Sequence, residues 1–273
     1  DLTYLAGAMA NHQIEKLFFA PAAITYGLEY HLNALDDKVI AYDIRTQQST
    51  NIFGGYFQSE WTSKLFNVLI GARLDKHNLL ENPVFVPRIN FLYKPTTNLQ
   101  VRASYSSGYR APQAYEEDFH VTQVGGLSLR TVLADNLKPE YSNSFALSAD
   151  YYCQIGDNWQ GNILLEGFYT ILNDVFAIRE LETDTLTQTL YQERYNASGA
   201  TIAGASITAK AAYKDLFTLS LGYTLQSSKY HQTEYWSDDE SVEGTDFILK
   251  SPDDYGYLGV DLTAIDNLNI NLS

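Results

Sequence analysis

The sequence predicts an all-β chain whose antiparallel strands build a barrel wall across a membrane, and three observations lead there. Apolar and polar residues alternate with a period of two, the connections between those stretches alternate long and short, and Tyr (21) and Phe (13) far outnumber Met (1) and Cys (1). Aromatic and β-branched side chains suit a pleated surface. No run of about 18 apolar residues is present, so no transmembrane helix is available. A strand wall needs an apolar band on alternate positions only, which keeps its mean hydropathy modest.

Taken in order, a poorly defined strand fits near Leu2–Ala10, and from Ile24 the alternation becomes strict. Ile24, Tyr26, Leu28, Tyr30 and Leu32 share one face, with Thr25, Gly27, Glu29, His31 and Asn33 on the other. Phe66, Val68, Ile70, Ala72 and Leu74 repeat the pattern against Asn67, Leu69, Gly71, Arg73 and Asp75. So do Leu99–Ser106, Ser144–Tyr151 and Phe217–Gln226, while weaker strands fit Asn51–Trp61, Val84–Tyr93, Gln160–Ile171, Ile202–Ala211 and Pro252–Leu262. The apolar set, including Leu28, Tyr30, Val68, Ile70, Leu219 and Leu221, is expected to face lipid. Glu29, Arg73 and Thr218 are expected to face the lumen.

Long connections are read at Leu35–Thr50, Lys76–Pro83, Gly108–Pro139, Leu172–Arg194 and Ser227–Ser251, with short ones at Thr62–Lys64, Lys94–Asn98, Cys153–Asn158, Ala212–Asp215 and Thr263–Asn267. Tight turns at one end and large loops at the other are the pattern of an outer-membrane barrel, and a soluble sandwich has no reason to sort its loops this way. The count comes to about 11–12 strands. An open sheet of that width leaves two edges that lipid cannot satisfy, so the chain is expected to be a fragment. The final alternating stretch, Asn269–Ser273, has the look of a cut strand, and Asp1-Leu2-Thr3-Tyr4 has neither the basic start nor the apolar run of a signal peptide.

A formal net charge of −15 argues against nucleic acid, and the single Cys153 excludes an internal disulfide framework. No internal repeat, linker or domain boundary is evident.

Ser106-Ser107-Gly108-Tyr109-Arg110-Ala111-Pro112 ends one strand and opens the longest loop. It resembles the aromatic-Arg-Ala-Pro box of TonB-dependent receptors. Asn136-Leu137-Lys138-Pro139-Glu140-Tyr141-Ser142, beyond that loop, resembles the family's Asn-Leu-Lys-Pro-Glu-x-Ser box. Gln113–His120, Tyr56–Trp61, Gly71–Asp75 and Gly167–Phe176 are also similar to family segments, the first to one common in Bacteroidetes receptors. The boxes fall in the family's order, and the resemblance covers the chain from about Ile24 to Leu262. It implies a bacterial outer-membrane location, a plugged barrel of about 22 strands of which residues 1–273 supply the later part, and import energised by the TonB-ExbB-ExbD complex. This chain shows no plug domain, TonB box or C-terminal aromatic strand, so TonB contact is expected through the missing N-terminal part.

Arg110 and Glu140 flank the longest loop, and two readings compete. They contact ligand, or, as preferred here, an Arg and a Glu at adjacent strand ends pair and fix the loop base. Arg73, Asp75, Glu29, Arg102 and Glu166 are expected to line the lumen and bond to the plug. His120 lies between the same two boxes as the ligand His of the family's haem receptors, and imidazole is a common axial ligand; a solvated loop His is the bland alternative. Tyr109, Tyr115, Phe119 and His120, with Trp236 in the later loop, form the candidate ligand-contacting set, since exposed aromatics stack on flat ligands or mark an interface belt. Glu116-Glu117-Asp118 and Asp238-Asp239-Glu240 are acidic enough for calcium but lack the spacing of a calcium loop, and read as solvated.

The function expected from all this is uptake of a scarce nutrient: a metal chelate or siderophore, haem, or a cobalamin-like molecule. No resident cofactor or structural metal is expected; haem or a metal chelate enters as cargo. The other readings are a passive porin or a structural or adhesive barrel, disfavoured by the receptor boxes, and an outer-membrane hydrolase. The 5 His residues show no nucleophile-base motif, so no enzyme is expected. The acidic balance mildly disfavours a strongly anionic siderophore.

Overall fold

The structure, a computed structural model, describes residues 1–39, 44–112, 128–181, 189–235, 243–248, 251–265 and 268–272. Its strands are β1 (Leu2–Leu17), β2 (Ala20–Val39), β3 (Ile44–Thr62), β4 (Phe66–His77), β5 (Val84–Tyr93), β6 (Leu99–Arg110), β7 (Ser128–Leu133), β8 (Glu140–Ile155), β9 (Trp159–Asn173), β10 (Phe176–Glu180), β11 (Thr189–Asn196), β12 (Ala200–Tyr213), β13 (Phe217–Glu234), β14 (Thr245–Phe247), β15 (Asp254–Ile265) and β16 (Leu268–Leu272). A 13-stranded sheet runs in the order β1-β2-β3-β4-β5-β6-β8-β9-β12-β13-β15-β16, with β14 added against β13. All its pairings are antiparallel. A second, three-stranded sheet has the order β10-β11-β7.

Register carries the alternation across the wall. One row runs Ala8, Leu28, Gly55, Leu74, Phe85, and another Leu165, Ile207, Tyr223, apolar throughout except for the glycine. Between them run polar rows such as Glu29, Gly54, Asp75 and Ser148, Glu166, Ser206, Thr224. Burial is the reverse of that in a water-soluble fold: Leu28, Ile70 and Leu221 are 56%, 47% and 42% exposed, whereas Asp75, His77 and Arg194 are 5%, 1% and 2% exposed. Soluble proteins bury leucine and leave charges outside. Tyr30 and Leu219 also lie exposed on the apolar face, Val68 is half-buried, and Glu29, Arg73 and Thr218 are half-buried on the opposite face.

Aromatic rings mark both borders of the apolar band, as expected where a barrel meets two interfaces. At the tight-turn end, Phe19 lies 5.9 Å from Trp61 and 5.8 Å from Phe66, and Trp159 lies 5.0 Å from Tyr213, centroid to centroid. At the far end stand Tyr4 and Tyr30, 6.3 Å apart, with Phe53 and Phe85 exposed nearby.

Several strands outrun the sequence reading. A tilted crossing needs about 9–11 residues, yet β2 has 20, β3 19 and β13 18. The stretch read as a loop at Leu35–Thr50 continues as a paired hairpin as far as Val39 opposite Ile44. The first strand continues past Ala10 to Leu17 and turns tightly at Phe18, whose φ of 61° is left-handed. The loops read at Gly108–Pro139 and Leu172–Arg194 contain β7, β10 and β11, and the one at Ser227–Ser251 contains the end of β13 and β14. Outside a membrane neither face of a strand need be apolar, so the segments at the long-loop end carry no period-two signal.

Candidate functional site

Charge gathers in two clusters toward the long-loop end of the wall. The first lies on its polar face. Arg73 and Asp75 are two residues apart on β4 and so share a face. Register sets Gly54 opposite Asp75 and Glu29 opposite Gly54. The missing side chain at Gly54 lets Arg73 reach over β3: its Nη1 donates to Glu29 Oε2 at 2.6 Å, while its Nε donates to Asp75 Oδ1 at 2.7 Å and Oδ2 at 2.9 Å. A Cβ at Gly54 would collide with both side chains. Tyr109 Oη donates to Asp75 Oδ2 at 3.2 Å, and Tyr109 packs against the buried Leu80, Val84 and Ala111. His77, just beyond, accepts the Leu79 N–H on Nδ1 at 3.0 Å.

The second cluster joins the bases of two excursions, 111–139 and 174–199. Arg110 Nη2 lies 3.0 Å from Glu140 Oε2, and Cζ of Arg110 sits 4.8 Å from the Phe176 ring centroid. Glu140 Oε2 also accepts the Phe176 N–H at 2.9 Å. Arg194, almost fully buried, lies 5.8 Å from the same ring. Asn196 Oδ1 accepts the Lys138 N–H at 2.8 Å, and its Nδ2 donates to the carbonyls of Lys138 at 3.0 Å and Asp174 at 2.7 Å. Asp174 has φ of 53°.

Two titratable groups beyond the apolar band, on the long-loop side, are shifted by their partners. Arg45 donates to Asp36 through Nε at 2.8 Å and Nη2 at 2.6 Å, and these bonds hold the Asp36 carboxyl down at about 2. Burial, with the Glu234 carboxylate 3.4 Å away, pushes the Tyr195 hydroxyl up.

Of the residues singled out from sequence, Tyr109, Arg110 and Glu140 are described, and all three are bonded within the wall and loop base. Tyr115, Phe119, His120 and Trp236 lie outside the described residues, as do both acidic clusters. Arg73, Asp75 and Glu29 share the polar face as expected and satisfy one another, while Arg102 and Glu166 flank Ser148 on one polar row. Asn196 and Phe176 are central to the loop base, and the sequence gives no sign of it for Asn196. Phe176 at least closes a family-like segment. Among the described residues no three His, Cys, Asp or Glu side chains converge as metal ligands would.

Residues 4–272 match the family model described as TonB dependent receptor-like, beta-barrel. Over 130 residues, 47% of the chain, the sequence is 30% identical to the iron-regulated outer membrane virulence protein of Vibrio cholerae serotype O1, covering 20% of that protein. The fold is similar to the siderophore receptor PirA from Pseudomonas aeruginosa, with TM-score 0.74 at 16% identity over 98% of the chain and 47% of that structure. It is also similar to PirA from Acinetobacter baumannii, with TM-score 0.71 at 18% identity over 98% and 41%, and to the ferric enterobactin receptor PfeA from Pseudomonas aeruginosa, with TM-score 0.69 at 16% identity over 98% and 40%. The chain thus spans less than half the length of these structures. The matched length, the antiparallel order and the exposed apolar band agree with one another: the chain belongs to the TonB-dependent receptor family, whose β-barrels sit in the bacterial outer membrane.

Proposed function

We propose that residues 1–273 are the later part of the barrel of a receptor that captures a ferric siderophore outside the cell and imports it with energy delivered by TonB and its ExbB-ExbD partners. The plug and the TonB contact belong to other parts of the protein. The observation that carries the iron-siderophore class is the agreement between a relative named as iron-regulated and structural neighbours named as siderophore receptors. Haem and a cobalamin-like molecule are the less supported cargoes, and nothing in the matched names favours an open porin. The exposed apolar rows face outer-membrane lipid. Arg110 and Glu140 hold the loop base, Tyr109 braces it from the wall, and Tyr115, Phe119, His120 and Trp236 are the candidate ligand contacts. Aromatic surface suits a chelate that presents flat rings.

The test is growth of cells that carry the full-length gene as their only such receptor, starved of iron and supplied with a panel of ferric siderophores or haem, or starved of cobalamin and supplied with cobalamin. Growth on at least one ferric siderophore, and on neither haem nor cobalamin as the sole rescued nutrient, is expected. Rescue by haem alone would replace the cargo assignment and return His120 to the role of iron ligand.

A further inference from the structure

We infer that β7, β10 and β11, the described strands of the long excursions after β6 and β9, form one body that moves as a unit, pinned by Glu140 and Asn196. The inference rests on bonds between segments distant in sequence. β7, from the first excursion, pairs in parallel with β11, from the second, from Ser128 opposite Thr189 to Leu133 opposite Arg194. Ala134 N–H then donates to the Arg194 carbonyl at 3.0 Å, extending the seam toward the base. β11 is the central strand of its sheet, so β7 and β10 are both held through it.

At the base, each pin spans more than one strand end. Glu140 opens β8 and holds both Arg110, which closes β6, and the backbone of Phe176, which opens β10. Asn196 closes β11, and its amide both accepts from and donates to the backbone of Lys138, as a neighbouring strand would, while also holding Asp174. Ala197 N–H donates to the Val175 carbonyl at 2.7 Å beside it. Tyr195 Oη also donates to Glu234 Oε2 at 3.4 Å, tying β11 to the end of β13. Independent hairpin loops need none of these contacts, because closing a loop on its own strands requires only local bonds. Displacing any one excursion breaks a seam shared with its neighbour, so a push on the first is delivered to the second. This unity is independent of which ligand binds.

The experiment is hydrogen-exchange mass spectrometry on the full-length receptor in detergent micelles, comparing wild type with Gln192→Pro and Asn196→Ala. Proline inside a central strand removes a ladder donor. With Gln192→Pro, the amides of β7, some 60 residues away in sequence, should lose protection by about tenfold or more together with β10 and β11, while β4 and β12 keep theirs. Asn196→Ala, which is milder and leaves the strands intact, should speed exchange at 138, at 174–176 and in β7. Loss confined to β10 and β11 in both variants, with β7 unchanged, would overturn the single-body inference.

Discussion

An arginine placed on either face of one strand separates a lipid-facing wall from a soluble sheet. Ile207 and Ser206 are neighbours near the middle of β12 and point to opposite faces. Ile207 is 37% exposed, with Leu165 and Tyr223 opposite it. Ser206 is half-buried between Glu166 and Thr224. At mid-bilayer an outward Arg costs about 2–4 kcal/mol, which at about 1.4 kcal/mol per decade is a roughly 30- to 1000-fold shift of the folding equilibrium. An Arg at Ser206 instead meets Glu166 across the strand pair, a contact worth about 0.2–1 kcal/mol in its favour at a wet surface. Urea titration of the full-length protein in phospholipid vesicles, read by the folded band on unheated gels, gives both values. Ile207→Arg is expected to be the more damaging by about 2 kcal/mol or more. Equal costs, or a larger cost at Ser206, would show that the apolar rows do not face hydrocarbon.

Arg73→Ala strips its partner from the 5%-exposed Asp75 and should destabilise the barrel by about 3 kcal/mol; a shift within error in the same titration would mean that the cluster is solvated. Gly54→Ala should cost about 1–3 kcal/mol by overpacking against Arg73 and Asp75, and a neutral result would deny the close approach. Glu140→Ala leaves the Phe176 N–H and Arg110 without their shared acceptor and should open the loop base by about 1–3 kcal/mol, seen as faster tryptic cleavage of the extracellular loops on intact cells; Arg110→Ala should lower uptake similarly for unrelated ligands, and loss for one ligand alone would indicate direct contact. Asp36 contributes to its hairpin above the ordinary carboxylate value of 3.8 and loses that contribution only as pH falls through about 2. A carboxyl titration by NMR with its midpoint near 3.8 would contradict the Arg45 clamp.

The legible part of the fold is the part that crosses the membrane. One apolar and one polar face impose strict alternation on Ile24–Asn33 and Phe217–Gln226, and the same constraint fixes which face each residue takes. Beyond the interface that constraint ends. β7 and β11 pair with each other across some 60 positions of sequence, and a parallel pairing between two loops leaves no local signature. The candidate site divides in the same way. The same-face placement of Arg73 and Asp75 follows from their spacing of two, and Arg110 and Glu140 fall at strand ends visible as boxes. That Glu29 completes the wall cluster depends on the β2–β3–β4 register and on Gly54, and the role of Asn196 depends on contacts across 58 positions; neither is encoded in a neighbourhood of the chain.

We propose energised import of chelated iron through this barrel. Its most direct measurement is accumulation of radioactive iron from a ferric siderophore in cells bearing the full-length receptor, compared with the same cells lacking TonB. Saturable accumulation that disappears without TonB is expected. Uptake that persists without TonB and rises linearly with siderophore concentration would contradict it and identify a passive pore.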